Sequence, residues 1–228
     1  MRISAIIVAG GRGHRMGGNV PKQFQLLHGK PVLYHTLRRF EDCSLVDEII
    51  LITATEWLAY TAQEISDRYH FTKIKKIVAG GKERQDSVYN GLQALDNGTE
   101  VVLVHDAVRP LVSVGKIEEV IQACQEVGAA ILAVPPKDTI KVAEQEYVAT
   151  TLNRDTLWCV QTPQGFRVDI LRAAYDDARA RGIYKTDDSA LVEMSGHAVK
   201  IVRGEDENIK ITVPADLQFA ETVLGRRE

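Results

Sequence analysis

Directly after the first apolar run the chain reads Val8-Ala9-Gly10-Gly11-Arg12-Gly13-His14-Arg15-Met16-Gly17. Glycines such as Gly10, Gly11 and Gly13 let backbone N–H groups approach an anion, and Arg12 and Arg15 add positive charge. This is not a dinucleotide fingerprint, because the third glycine position holds Met16. Nor is it a P-loop: Gly13 and Gly18 are correctly spaced, but Asn19 stands where that motif needs Lys. Pro21-Lys22-Gln23-Phe24 then sets a second cation just past the loop, suited to a phosphate or, more plainly, to solvent. Further on, Ala79-Gly80-Gly81-Lys82-Glu83-Arg84-Gln85-Asp86-Ser87 joins a strand pattern to a helix pattern. A Gly-Gly pair there can offer N–H groups to an anion or a base edge, or can be a plain turn.

The run His105-Asp106-Ala107-Val108-Arg109-Pro110 supplies the acid. A carboxylate at a strand's carboxyl end is suited to Mg²⁺, which takes oxygen ligands and is commonly shared with substrate phosphates. Arg109, kept out of the helical region by Pro110, suits a phosphate, although Asp106 and Arg109 could simply pair with each other. His105 reads as a packed structural histidine and is given no role. In Asn208-Ile209-Lys210-Ile211-Thr212, strand alternation points Lys210 away from Ile209 and Ile211, into a site or into water.

Elements that could position these groups alternate along the chain. Runs at 3–8, 48–53, 74–78, 101–104 and 130–134 read as buried strands. Between them 31–40, 56–69, 84–95 and 114–127 have helical apolar spacing; Val88, Leu92 and Leu95 share a face. The fold class is therefore α/β, a mostly parallel sheet flanked by helices, in which ligands bind beyond the strands' carboxyl ends. The glycine loop lies at such an end. Later, 168–181 and 187–194 read as helices, 198–202 and 209–213 as strands, and a last helix starts near Pro214. Residues 135–155 break the rhythm. Pro135-Pro136 sends the chain outward, 138–142 and 147–152 can pair as a hairpin, and the segment has no core of its own. The rest reads as one domain, 1–228, with 135–155 a protruding arm.

Bulk numbers narrow the function. A formal charge of 28 − 31 = −3 argues against a general nucleic-acid or anionic-membrane surface. Three separated cysteines, Cys43, Cys124 and Cys159, make neither a disulfide framework nor a zinc pattern. No apolar stretch suits a signal peptide or a membrane span, so the expectation is a cytoplasmic enzyme. Two other classes remain: an NAD-dependent oxidoreductase, whose fingerprint fails at Met16, and a nucleotide-binding module, which would not need Lys22, Asp106 and Lys210 together.

Taken together these motifs resemble the 2-C-methyl-D-erythritol 4-phosphate cytidylyltransferases of non-mevalonate isoprenoid synthesis. Besides the segments above, the resemblance rests on Gln161-Thr162-Pro163-Gln164-Gly165-Phe166 and Thr186-Asp187-Asp188-Ser189. It implies a Rossmann-like fold, CTP and Mg²⁺, pyrophosphate as product, and a homodimer whose hairpin arm reaches the partner subunit. It further implies that Arg15 and Lys22 stabilise charge on the triphosphate, that Asp106 binds Mg²⁺, and that Ala9, Gly10, Gly81 and Ser87 contact cytosine and ribose. Arg109, Lys210 and, from the partner's arm, Thr139 and Arg154 would hold the acceptor phosphate, with Thr162 a weaker candidate.

The family's first loop commonly begins Pro-Ala-Ala-Gly, whereas this chain has Val8-Ala9-Gly10-Gly11. That form, and Val108, also occur in ribitol 5-phosphate cytidylyltransferases, which stand as the alternative. Ala129 to Val134, Asp138-Thr139-Ile140-Lys141 and Thr186-Asp187-Asp188-Ser189 favour the methylerythritol enzymes.

Overall fold

The computed structural model describes residues 1–10 and 20–227. Its centre is a seven-stranded sheet in the order β11-β7-β10-β6-β1-β4-β5. The strands are β1 (Arg2–Ala9), β4 (Glu48–Thr53), β5 (Ile74–Ala79), β6 (Thr99–Asp106), β7 (Ala129–Val134), β10 (Cys159–Arg167) and β11 (Lys200–Arg203). All pair in parallel except β10, which runs antiparallel to both β6 and β7. Parallel central strands bury both faces, and β4 accordingly has every residue buried. Two short strands, β2 (Leu26–Leu27) and β3 (Lys30–Pro31), pair outside the sheet.

Helices cover both faces. α1 (Val32–Asp42) and α4 (Val114–Val127) close one side, with Leu33, Leu37, Phe40, Ile117, Val120 and Ile121 in its core. α3 (Arg84–Ala94), α5 (Val168–Ala180) and α6 (Asp188–Met194) close the other with Val88, Leu92, Leu171, Tyr175 and Leu191. Local chemistry sets their ends. Ser113 caps α4 by accepting from Lys116 N at 3.3 Å, and Gly128 ends it at φ +90°, a region that favours glycine. A third cluster joins α7 (Pro214–Gly225) to Leu27, Val32, Val108, Leu111 and Ile211.

Two expectations change, and one strand was not foreseen. Residues 56–69 form a 3₁₀ turn (Thr55–Trp57), a short α2 (Leu58–Tyr60) and a π-helical stretch (Thr61–Asp67) instead of one regular helix. This winding buries Thr61 and Ile65 while Trp57 and Tyr60 clasp Phe24, with ring centroids 5.0 and 4.9 Å away. Residues 209–213 are not a strand. Ile211 donates one bond to Val108 O at 2.9 Å, and the segment is held by side chains rather than by a ladder. Finally β10 had no apolar pattern to announce it. Its Gln161, Thr162 and Gln164 are buried polar residues, and its pairing with β7 is irregular between Val160 and Gln164, where Pro163 lies.

The segment 135–155 does form a hairpin, β8 (Lys141–Glu144) with β9 (Tyr147–Thr151). Its two-residue loop, Gln145-Glu146, has φ +47° and +70°, the mirror-image turn that matches strand twist. Every residue of both strands is exposed.

Candidate active site

A cavity of about 740 Å³ opens at the carboxyl ends of β6, β1, β4 and β5. Ala9 and Gly10, Lys22, Gly81 and Ser87, Asp106 and Lys210 all line it, so the sequence's scattered motifs converge. Lys22 sits on a 3₁₀ turn (Lys22–Phe24) that Gln23 ties down, donating from Nε2 to Ala9 O at 2.7 Å. Gly11, Gly13 and Arg15 lie outside the described residues.

The turn from β5 into α3 forms one wall. Gly81 has no room for a side chain: a Cβ would stand 2.2 Å from Asp86 Cβ. Its N–H donates to Ser87 Oγ at 3.0 Å, and Gly80 N–H donates to Thr53 O at 2.7 Å. Of the two readings of this glycine pair the bonds fit the plain turn: Gly81 N–H closes the turn on Ser87, and Gly80 N–H extends the pairing to β4. Asp86 accepts from Glu83 N at 3.0 Å and fixes the start of the helix.

Asp106 is the electrostatic centre. Arg84 Nε lies 3.2 Å from its Oδ1, while Lys210 Nζ lies 2.9 Å and Arg109 Nε 3.7 Å from its Oδ2. Burial pushes this carboxyl up, but Arg84, Lys210 and Arg109 outweigh burial and hold it well below the ordinary range. Arg84 also reaches Asp188 Oδ2 at 2.9 Å, and Tyr175 OH donates to Asp188 Oδ1. Burial alone would lower the Arg84 guanidinium, yet Asp188 and Asp106 keep it above its usual value. Asp106 is thus held in its ionised form by its three cationic partners, and it lines the cavity.

The layer beneath explains the buried polar strand. Asp106 N–H donates to Thr162 Oγ1 at 3.0 Å, and Thr162 Oγ1 lies 3.0 Å from His105 Nδ1. His105 Nε2 lies 3.2 Å from Arg109 O, which can only accept, so that nitrogen carries the proton and Nδ1 takes the threonine's. Burial lowers His105 to about 3, consistent with a neutral ring packed on Phe40. The Thr162 hydroxyl is therefore spent on orienting β6, although Thr162 had been a candidate for the acceptor phosphate. Arg109, mostly buried, donates from Nη1 to Asn208 O at 2.7 Å and, like Thr162, is not among the residues lining the cavity.

Thr139 and Arg154 are exposed at the base of the hairpin, and Arg154 Nη1 donates to Lys137 O at 3.1 Å. Neither lines the cavity of its own chain. Among residues that sequence reasoning left without a role, Arg84 matters most. It lay inside a quoted motif, but its two acids come from β6 and α6, and no local spacing pairs them.

A glycine turn, a strand-end carboxylate and two lysines around one cavity on a Rossmann-like sheet define a nucleotidyltransferase. The 2-C-methyl-D-erythritol 4-phosphate cytidylyltransferase family matches residues 3–226 of the chain, which belongs to it. A 2-C-methyl-D-erythritol 4-phosphate cytidylyltransferase of Pelotomaculum thermopropionicum is 48% identical over 228 residues, all of this chain and 96% of the relative. The crystal structure of 4-diphosphocytidyl-2C-methyl-D-erythritol synthase from Anaerococcus prevotii superposes with a TM-score of 0.87 at 37% identity, over 99% of this chain and 96% of that one. The cytidylyltransferase of Thermus thermophilus gives 0.81 at 33%, over 99% and 100%. The activity is thus that of a methylerythritol phosphate cytidylyltransferase in isoprenoid synthesis, and the ribitol phosphate alternative is set aside.

Proposed function

We propose that the acceptor's phosphate oxygen attacks the α-phosphorus of CTP in line, forming 4-diphosphocytidyl-2-C-methyl-D-erythritol and releasing pyrophosphate in one displacement. The observation that carries this reading is the convergence of Lys22, Lys210, Asp106 and the Gly81–Ser87 turn on one cavity. A phosphate monoester is already ionised near neutral pH, so the reaction needs charge stabilisation more than a general base. His105, neutral and enclosed, fits that economy.

Lys22 and Arg15 are assigned to the triphosphate, where they offset charge growing on the leaving group. Lys210 is assigned to the acceptor phosphate, with Arg109 bracing Asn208 behind it. Ala9, Gly10, Gly81 and Ser87 are assigned to cytosine and ribose. Since the N–H groups of Gly80 and Gly81 are engaged, the acceptor for the 4-amino edge is assigned to the carbonyls of this turn.

Mg²⁺ fits the donor set in one way. Among the described residues no three His, Cys, Asp or Glu side chains gather around a point, so a protein cage is not offered. A single ionised carboxylate beside a phosphate site suits an ion that shares its ligands with nucleotide phosphates, and Asp106 is that carboxylate. Mg²⁺ would be held there in place of one of its present cationic partners, Arg84 on Oδ1 or Lys210 on Oδ2. Bound there, Mg²⁺ would supply Lewis-acid neutralisation of the phosphate oxygens.

The working unit is proposed to be a homodimer in the cytoplasm, residues 1–228 forming one domain and the arm 135–155 crossing to the partner. Support comes from the arm's apolar surface, with Tyr147 80%, Val148 63% and Val142 39% exposed. The crossing would deliver Thr139 and Arg154 to the partner's acceptor site. No helix among the described residues is long and apolar enough to cross a membrane.

Stereochemistry tests the displacement. With CTP carrying sulfur at the α-phosphorus, a single in-line step inverts configuration in the product. Retention would mean a covalent cytidylyl-enzyme and would overturn the reading.

A further inference from the structure

The segment that carries Lys210 lies outside the sheet, so something other than a strand ladder must aim it. Asn208 anchors its start, donating from Nδ2 to Thr162 O at 3.0 Å and to Gln161 Oε1 at 3.2 Å. Ile211, fully buried, anchors its middle in the α7 cluster. Its end is held by one oxygen: Asp216 Oδ2 accepts from Thr212 N at 2.7 Å, Thr212 Oγ1 at 2.8 Å and Val213 N at 2.9 Å.

Capping α7 would account for only part of this. The bond from Val213 is the usual reach-back of a third helical residue, and it satisfies a free N–H at the helix start. The two bonds to Thr212 lie outside the helix and clamp the chain two residues beyond Lys210. Burial pushes the Asp216 carboxyl up, but the Val213 and Thr212 bonds and the Lys22 charge outweigh that and hold it below the ordinary range.

We propose that Asp216 is a positioning residue for catalysis, fixing Thr212 so that Lys210 is aimed at Asp106 and the cavity. This rests on the assignment of Lys210 to the reaction. The carboxylate is not among the residues that line the cavity; it removes freedom from a cation that would otherwise hang on an irregular segment. Preorganisation of this kind is worth much: a misplacement of about 1 Å can cost on the order of a hundred-fold in rate.

The test is a double-mutant cycle on kcat, with thermal midpoints measured on every variant. Asp216→Ala should lower kcat roughly ten- to a hundred-fold, and Asp216→Asn, which keeps an acceptor oxygen, should recover part of that loss. Added to Lys210→Ala, the Asp216→Ala change should cost little more, because both act through one cation. Thr212→Val removes only the hydroxyl bond and should lower kcat a few-fold at an unchanged midpoint, a result readable even if Asp216→Ala does not fold. If Asp216→Ala lowers the midpoint while kcat stays within about twofold, the residue is a helix cap and the inference fails alone. Losses that multiply in the double variant overturn it equally. A Lys210→Ala enzyme with wild-type kcat would overturn the site assignment as well.

Discussion

Lys210 Nζ lies 2.9 Å from Asp106 Oδ2, joining a segment outside the sheet to the end of a central strand. The pair ties the acceptor end of the cavity to the proposed metal carboxylate, and the predictions follow from what each side chain is asked to do.

Replacing Lys22 or Arg15 by Ala should lower kcat far more than it raises KM for the acceptor. Loss of one preorganised charged contact to a transition state typically costs about a hundred- to a thousand-fold, roughly 3–4 kcal/mol. Steady-state kinetics at saturating substrates check this. A variant within threefold of wild type would mark a surface charge.

Asp106→Asn keeps the shape and removes the charge. Activity should fall and the Mg²⁺ concentration needed for half-maximal rate should rise. Arg84, Lys210 and Arg109 hold the carboxylate ionised, so the wild-type Mg²⁺ dependence should not change between pH 8 and 6 on account of Asp106. A normal Mg²⁺ titration in the variant would mean that the nucleotide alone carries the metal.

His105 gives a stability signature. Its folded pKa is depressed to about 3 against an ordinary value near 6.5, so the unfolded chain binds the extra proton as pH falls. The contribution is fully present above pH 6.5 and is lost progressively down to about 3. Between pH 6.5 and 5 this one group should cost on the order of 1–2 kcal/mol of unfolding free energy. Urea denaturation of wild type and His105→Gln at both values reads it as the difference in slope. Parallel losses in the two proteins would mean that His105 is not buried neutral.

Much of the fold was legible because buried parallel strands are continuous apolar runs, and β1, β4, β6 and β7 are such runs. β10 was not, since its buried face is built from Gln161, Thr162 and Gln164, whose burial is tolerable only through partners distant in sequence. The site divided in the same way. Gly81 and Asp106 were legible as local motifs at strand ends and Lys22 as a cation just past the glycine loop, and the cavity gathers them. Arg84 and Tyr175 act through contacts between elements, so no spacing along the chain could announce them. Asp216 binds its near neighbours Thr212 and Val213, and its place three residues into a helix was a local signal that went unread. Thr162 was noticed for the right segment, but its hydroxyl serves Asp106 N.

The shared site can be tested by complementation. Lys22→Ala and Arg154→Ala should each be nearly inactive as homodimers. Mixed one to one with subunit exchange, half the dimers are hybrids, and one site in each hybrid carries neither lesion. About a quarter of wild-type activity should return. No recovery, with exchange confirmed independently, would place Lys22 and Arg154 in the same chain's site.

The most direct measurement is pyrophosphate release with CTP and UTP, each supplied with methylerythritol phosphate or with ribitol 5-phosphate. A carbonyl-lined slot that accepts the 4-amino group of cytosine should leave buried groups unpaired against UTP. Release should therefore be fast with CTP and methylerythritol phosphate and lower by orders of magnitude in the other three combinations. Equal turnover with UTP, or an equal kcat/KM for ribitol 5-phosphate, would contradict the account.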